Sequence, residues 1–236
     1  MSLIVFEERI SDSPFVERVW RSRSDQAGEF TSIAACTWEI VVSRYQGACS
    51  LIVRGPETMA TPALCPAEGE WFGIRFRTGT YMPYFLPANL RDHNNVILPN
   101  AASRSFWLDA SAWDLPDFDN AETFVGRLIR RGLLLKDPLI TADIGEGVRD
   151  ASARTFQRRF LRIAGLTHSH KVQIERARRA ALLLRQGSSI LDTVFEAGYY
   201  DQAHLTRSLK RFIGLTPSEI IRNQRQLSFL YNTDTA

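Results

Sequence analysis

Apolar residues follow two different rhythms in the two parts of this chain. The first third reads as short runs rich in Val, Ile, Trp and Phe: VERVWRSRS at 16–24, SIAACTWEIVVSRY at 32–45, CSLIVRG at 49–55 and WFGIRFRTG at 71–79. Turn signals at Gln46-Gly47, Gly55-Pro56 and Pro66 to Gly69 separate them. In WFGIRFR, Phe72, Ile74 and Phe76 alternate with Gly73, Arg75 and Arg77, the period of two expected of a strand with one buried face. Several such strands predict a sandwich or barrel. Pro83, Pro87, Pro99 and Pro116 punctuate 80–118, which predicts loops and short helices. A closing helix is predicted over 121–135, capped by Asn120, with Glu122 in its first turn and a stripe of Phe124, Val125, Leu128, Ile129 and Leu135. Lys136-Asp137-Pro138 breaks it. The expected organisation is a β-rich domain over 1–137, a helical domain over 138–225 and a frayed tail over 226–236, an α+β chain in all.

The helical part repeats itself. SARTFQRRFLRIAGLT at 152–167 and DQAHLTRSLKRFIGLT at 201–216 stand 49 residues apart. Ser152 and Asp201 are good N-caps, and both copies stop at Gly-Leu-Thr, where glycine suits the left-handed end of a helix. Phe156, Phe160 and Ile163 match Leu205, Leu209 and Phe212 at helical spacing, facing inward. ILDTVFEAG at 190–198 is a short amphipathic helix, and Tyr199-Tyr200 turn it into the second copy, the pattern of a helix-turn-helix. DPLITADIGEGVRDA at 137–151 should supply the matching first helix, short or irregular because of Gly145 and Gly147. Between the copies, HSHKVQIERARRAALLLRQG predicts one long strut that could hold two recognition helices about one DNA turn apart.

Charge sharpens this picture. Residues 1–138 carry 14 Lys and Arg against 17 Asp and Glu, whereas residues 139–225 carry 15 against 8, a basic module that suits a polyanion. Outward on the first repeat lie Arg154, Gln157 and Arg158; outward on the second lie Gln202, Ala203, Thr206 and Arg207. Arg grips guanine at two points, Gln does the same for adenine, and Ala meets a thymine methyl. Arg159, Arg162, Lys210, Arg211 and Thr216 fall where phosphates or their own domain would meet them.

Residues 139–225 resemble the DNA-binding domain of AraC/XylS-type transcription regulators, on RTFQRRF, GLT, QIERARRAALLL and EAGYYDQAHLTRSLKRFIGLTPSEI. The resemblance implies two helix-turn-helix units on successive major grooves, with Arg154, Gln157, Arg158, Gln202, Ala203, Thr206 and Arg207 at base-reading positions. The first unit departs from the pattern: its first helix is degenerate, and Arg154 stands where residue type varies among members. The resemblance also implies an N-terminal sensing or dimerising domain, often cupin-like, for which residues 14–118 are the candidate.

A β-barrel mouth lined with aromatics is a default ligand site. Trp20, Trp38, Tyr45, Trp71 and Phe76 are the candidates, with Arg75 or Glu39 as polar handles; Trp38, Trp71 and Arg75 are the leading set. Catalysis finds less support. His93 is the sole histidine of the first part, too few for a cupin metal centre, so neither metal nor cofactor is expected. His168 and His170 suit a cap or solvent, and Asp114, Asp117 and Asp119 suit turns. Cys36, Cys49 and Cys65 lack the paired spacing of a zinc-bound alkyl-accepting thiolate. Their odd number, the acidic start MSLIVFEERI and the lack of any 18-residue apolar run predict a reduced, cytoplasmic, non-membrane protein. The expected function is sequence-specific transcription regulation, not enzymatic. Double-stranded DNA is the main partner; a small-molecule effector, a second copy of the chain and RNA polymerase are the others. The competing reading is a cupin-like ligand-binding protein or enzyme with a helical dimerisation appendage.

Overall fold

A computed structural model of the chain describes residues 4–92, 95–141 and 153–222. Strands β1 (Ile4–Ile10), β2 (Val16–Ser24) and β3 (Gly28–Ser32) open it. β4 (Glu39–Tyr45) and β5 (Ala48–Arg54) make a hairpin, followed by β6 (Thr61–Cys65), β7 (Glu70–Phe76) and β8 (Thr80–Tyr81). After the short helix α1 (Pro87–Leu90) come β9 (Val96–Leu98), β10 (Asn100–Ala102), β11 (Ser105–Leu108) and β12 (Ser111–Asp114). Helix α2 (Ala121–Arg130), β13 (Leu135–Lys136) and α3 (Pro138–Thr141) lead into α4 (Ala153–Ala164), α5 (His168–Arg185), α6 (Ile190–Glu196), α7 (Gln202–Phe212) and α8 (Pro217–Arg222).

Six antiparallel strands form the main sheet in the order β1-β2-β7-β4-β5-β9. The alternation in β7 works as expected. Phe72, Ile74 and Phe76 face a core with Val19, Ile40, Val42, Leu51 and Val53, covered by Phe124, Val125 and Leu128 of α2 and by Phe106 and Trp113. Gly73 and Arg75 face the other way, toward the separate ribbon β3–β6. The architecture is α+β with an N-terminal β-rich part. The sheets are not joined edge to edge, so the expected barrel is not closed among the described residues.

Three expectations needed correction. The run 80–118 holds β9 and a three-stranded sheet, not only loops and helices. Its hairpin turns at Asp109-Ala110, both at positive φ (51° and 53°), a turn that lacks the usual glycine signal. The closing helix stops at Arg130 rather than 135, because Gly132 takes φ +68° and Leu135-Lys136 pair with Tyr81-Thr80. Its apolar stripe is used up by the core; the outward face carries Arg127 and Arg131, whose guanidiniums lie 5.0 and 5.6 Å from the Trp113 ring. Finally, 32–45 is not one strand. Residues 33–38 leave the sheet, and Ala34 and Cys36 bury themselves in the core of the helical part.

Arg9 locks β1 to α2. Its Nη1 and Nη2 donate to the two carboxylate oxygens of Glu122 at 2.6 and 2.8 Å, and Ser11 donates to the same group at 2.8 Å. Hydrogen bonds from Arg9, opposed by burial and reinforced by Ser11, hold the Glu122 carboxyl down at about 2.

The β-rich part also seats itself on the helices. The last carbonyls of a helix have no partner within it. At the end of α7 they find one across the chain: Ala34 N–H donates to the Phe212 carbonyl and Ala60 N–H to that of Arg211, both at 2.8 Å. His170 Nε2 lies 3.0 Å from the Thr58 carbonyl oxygen. Gly165 and Gly214 sit against the β-rich part without room for a side chain: a Cβ would come within 2.6 Å of Pro56 at the first and 2.7 Å of Thr31 at the second.

Candidate nucleic-acid interface

Each repeat copy ends as its sequence requires. Gly165 (φ +79°) and Gly214 (φ +83°) take the left-handed conformation that other residues resist. Thr167 then caps α5 by accepting from His170 N–H at 3.2 Å. Thr216 and Glu219 close a capping box on α8, with Thr216 N–H donating to Glu219 Oε2 at 2.7 Å and Glu219 N–H to Thr216 Oγ1 at 3.3 Å. Asp201 caps α7 through His204 N–H at 2.6 Å. The Ser152 cap and the expected first helix beyond Thr141 lie outside the described residues, as do His93 and the tail.

The inward faces match. Phe160 and Ile163 of α4 and Leu205, Leu209 and Phe212 of α7 are buried in one core, with Phe156 packed at its edge. Both helices pack on α5, whose Ile174, Ala177, Ala181 and Leu184 are buried. At 1.5 Å per residue, its 18 residues make a rod about 27 Å long. On α6, Ser189 accepts from Asp192 N–H at 3.1 Å and Thr193 is buried. Buried Tyr199 bonds Ser208 of α7 through its hydroxyl at 2.8 Å and meets the His204 ring edge-on. This side chain, read from sequence only as part of a turn, ties the turn after α6 to α7.

The outward faces are open. Arg154, Gln157, Arg158 and Arg162 are exposed on α4; Gln202, Ala203, Arg207 and Arg211 are exposed on α7. Thr206 is half-buried and donates its hydroxyl to the Gln202 carbonyl at 2.8 Å. Among the neighbouring positions, Arg159 pairs with the buried Asp137 carboxylate, Lys210 lies 3.8 Å from Glu219, and the Arg211 guanidinium covers the Phe212 ring at 5.1 Å. Arg158 and Arg162 border a groove between α4 and Tyr81 of β8.

The leading ligand candidates divide. Trp71 and Arg75, with Trp20 and Glu39, line a cavity between the sheet and the β3–β6 ribbon. Trp38 and Phe76 do not: they stack on each other at 4.1 Å in the core on the far side, and the Trp38 indole donates to the Thr80 carbonyl. Arg75 and Phe76 are neighbours on β7 and face opposite ways, so one lines the cavity while the other enters the core. Tyr45 is exposed at the strand end. Arg178 of α5, absent from the candidate set, also lines this cavity. Its spacing signals partial burial but not the cavity: it stands four residues after Ile174 and three before Ala181, both fully buried, at the edge of an apolar stripe. Burial, then Glu175, pushes the Cys36 thiol up to about 12, which suits packing and not chemistry. Among the described residues there is no cluster of metal-ligating side chains, and no helix is long and apolar enough to cross a membrane.

Residues 150–223 match the family model of a helix-turn-helix domain, just under a third of the chain. No curated protein and no solved structure matches the chain significantly. Caps, buried stripes, strut and family match agree: the chain carries a carboxyl-terminal helix-turn-helix DNA-binding domain of the AraC type.

Proposed function

We propose that the protein is a sequence-specific transcription regulator whose helices α4 and α7 enter two successive major grooves of one duplex. The observation that carries this reading is the pair of open faces, Arg154/Gln157/Arg158 and Gln202/Ala203/Arg207, on two helices held by one strut, with Arg158 and Arg207 at matched positions of the repeat. On this reading Arg207 reads a base and Arg162 a phosphate. The β-rich part controls how the two faces are presented, through an effector or a second copy of the chain, as a coupling free energy between sites. Ala34 and Ala60, bonded to the end of α7, supply a route for that coupling. The protein performs no catalytic step, acts in the cytoplasm on promoter DNA, and meets RNA polymerase there.

The test is fluorescence anisotropy with DNA from upstream of its own and neighbouring genes. Arg207→Ala should weaken binding by roughly 1–3 kcal/mol and relax preference at one base pair. Arg162→Ala should weaken all sequences alike and reduce the salt slope by about one. Equal losses on specific and random DNA for both variants would overturn this division of roles. A monomer in sedimentation, with and without DNA, excludes control by a second copy.

A further inference from the structure

The cavity between the main sheet and the β3–β6 ribbon holds about 210 Å³. Its floor is aromatic by construction. Trp20 pairs with Gly73 across the sheet, and a Cβ on Gly73 would come within 2.2 Å of the indole, so the absent side chain is what lets the ring lie flat. Phe6 stacks on Trp20 at 5.7 Å, and Phe30 and Trp71 complete the aromatic lining.

The charges in this lining do not balance. It contains Glu39 and Glu57 against Arg54, Arg75 and Arg178. Both carboxylates are already engaged. Arg54 pairs with Glu57 and lies 3.4 Å from Glu39, while Glu39 Oε2 accepts from the Trp20 indole at 3.0 Å and lies 3.6 Å from Arg75. Arg178 is left over. No hydrogen bond or ion pair reaches it among the described residues, although Glu17, Glu175 and Cys36 act on it at longer range. Burial, then neighbouring Arg75, holds it below the usual arginine range, yet a guanidinium stays charged in a protein. A partly desolvated cation without a counter-ion is costly, and its planar fork fits a carboxylate at two points.

We propose that this cavity binds a small carboxylate with a single apolar ring, the ring against the aromatic lining of Trp20, Phe6 and Phe30 and the carboxylate on Arg178. One excess positive charge selects a monoanion. The volume of about 210 Å³ lies below the range of roughly 300–1,000 Å³ for drug-sized ligands and suits one ring. Arg178 belongs to α5, the strut between the two recognition helices, so the ligand ties the sheet to the DNA-binding part. That regulatory consequence rests on the regulator reading; the binding site does not.

Calorimetry on the full chain with phenylacetate, cyclohexanecarboxylate and the neutral isostere phenylacetamide tests the site. Both acids should bind, with the amide at least tenfold weaker. Arg178→Met should weaken the acids at least tenfold while leaving the affinity for DNA without ligand unchanged, and Arg178→Lys should still prefer acid over amide. Equal binding of acid and amide, undiminished acid binding by Arg178→Met, or no binding of either acid to the wild type overturns the proposal. Should Arg178→Met fail to fold, the wild-type and Arg178→Lys preferences decide. A chain that binds the acids through Arg178 but binds no DNA supports the site and overturns the regulator reading alone.

Discussion

Alanine in place of Gly165 should cost far more than alanine in place of Gly214, although the two glycines close equivalent helices of the repeat. One part of the cost is shared. At φ +79° and +83°, any side chain meets the left-handed penalty of roughly 1–2 kcal/mol. The other part differs. At Gly165 the new Cβ would lie 2.6 Å from Pro56 Cγ and 2.7 Å from the Pro87 carbonyl oxygen, a ring and a backbone in two other segments. Ordinary carbon contacts need about 3.5–4.0 Å, and forcing a well-packed junction apart costs roughly 1–3 kcal/mol. At Gly214 the nearest atoms are two side-chain carbons, the Thr31 methyl at 2.7 Å, on an exposed residue, and the Ala60 Cβ at 3.3 Å, with no backbone atom among them. The expected losses are about 2–5 kcal/mol for Gly165→Ala and about 1–2 kcal/mol for Gly214→Ala. Urea denaturation of the full chain measures both, through the midpoint at constant slope. Thr31→Ser, which removes that methyl, should recover whatever steric part Gly214→Ala carries, read as a double-mutant cycle. Equal losses for the two alanine variants, within about 0.5 kcal/mol, would refute the seating of the β-rich part on the first repeat.

Other outcomes follow from the same contacts. Because the folded Glu122 carboxyl lies at about 2, below its ordinary value near 4.3, its stabilisation is present at neutral pH and is lost as pH falls from about 4.3 toward 2; Glu122→Gln should flatten that part of an acid-unfolding profile. An unchanged acid limb would remove the Arg9–Glu122 lock from the account of stability. Cys36, buried and held up at about 12, should resist alkylation in the native protein at mildly alkaline pH and react only on unfolding, as peptide mass mapping would show. Rapid native labelling of Cys36 would mean that the junction of residues 33–38 with α5 opens readily.

Much of the molecule was legible in the chain. Periodicity tells which residues share a face, so the inward and outward sets of α4 and α7 and the alternation of β7 could be read directly. Local chemistry tells where helices start and stop, and Asp201 and the two Gly-Leu-Thr ends do what their residue types allow. Tertiary structure alone decided what meets each face. Nothing local says that Ala34 and Cys36 leave their strand to fill a helical core, that Ala34 and Ala60 satisfy carbonyls at the end of α7, or that Arg178 looks into a cavity built by a distant sheet. Those partners are remote in sequence, and a contact between remote segments depends on the packing of both, which no window of one of them contains.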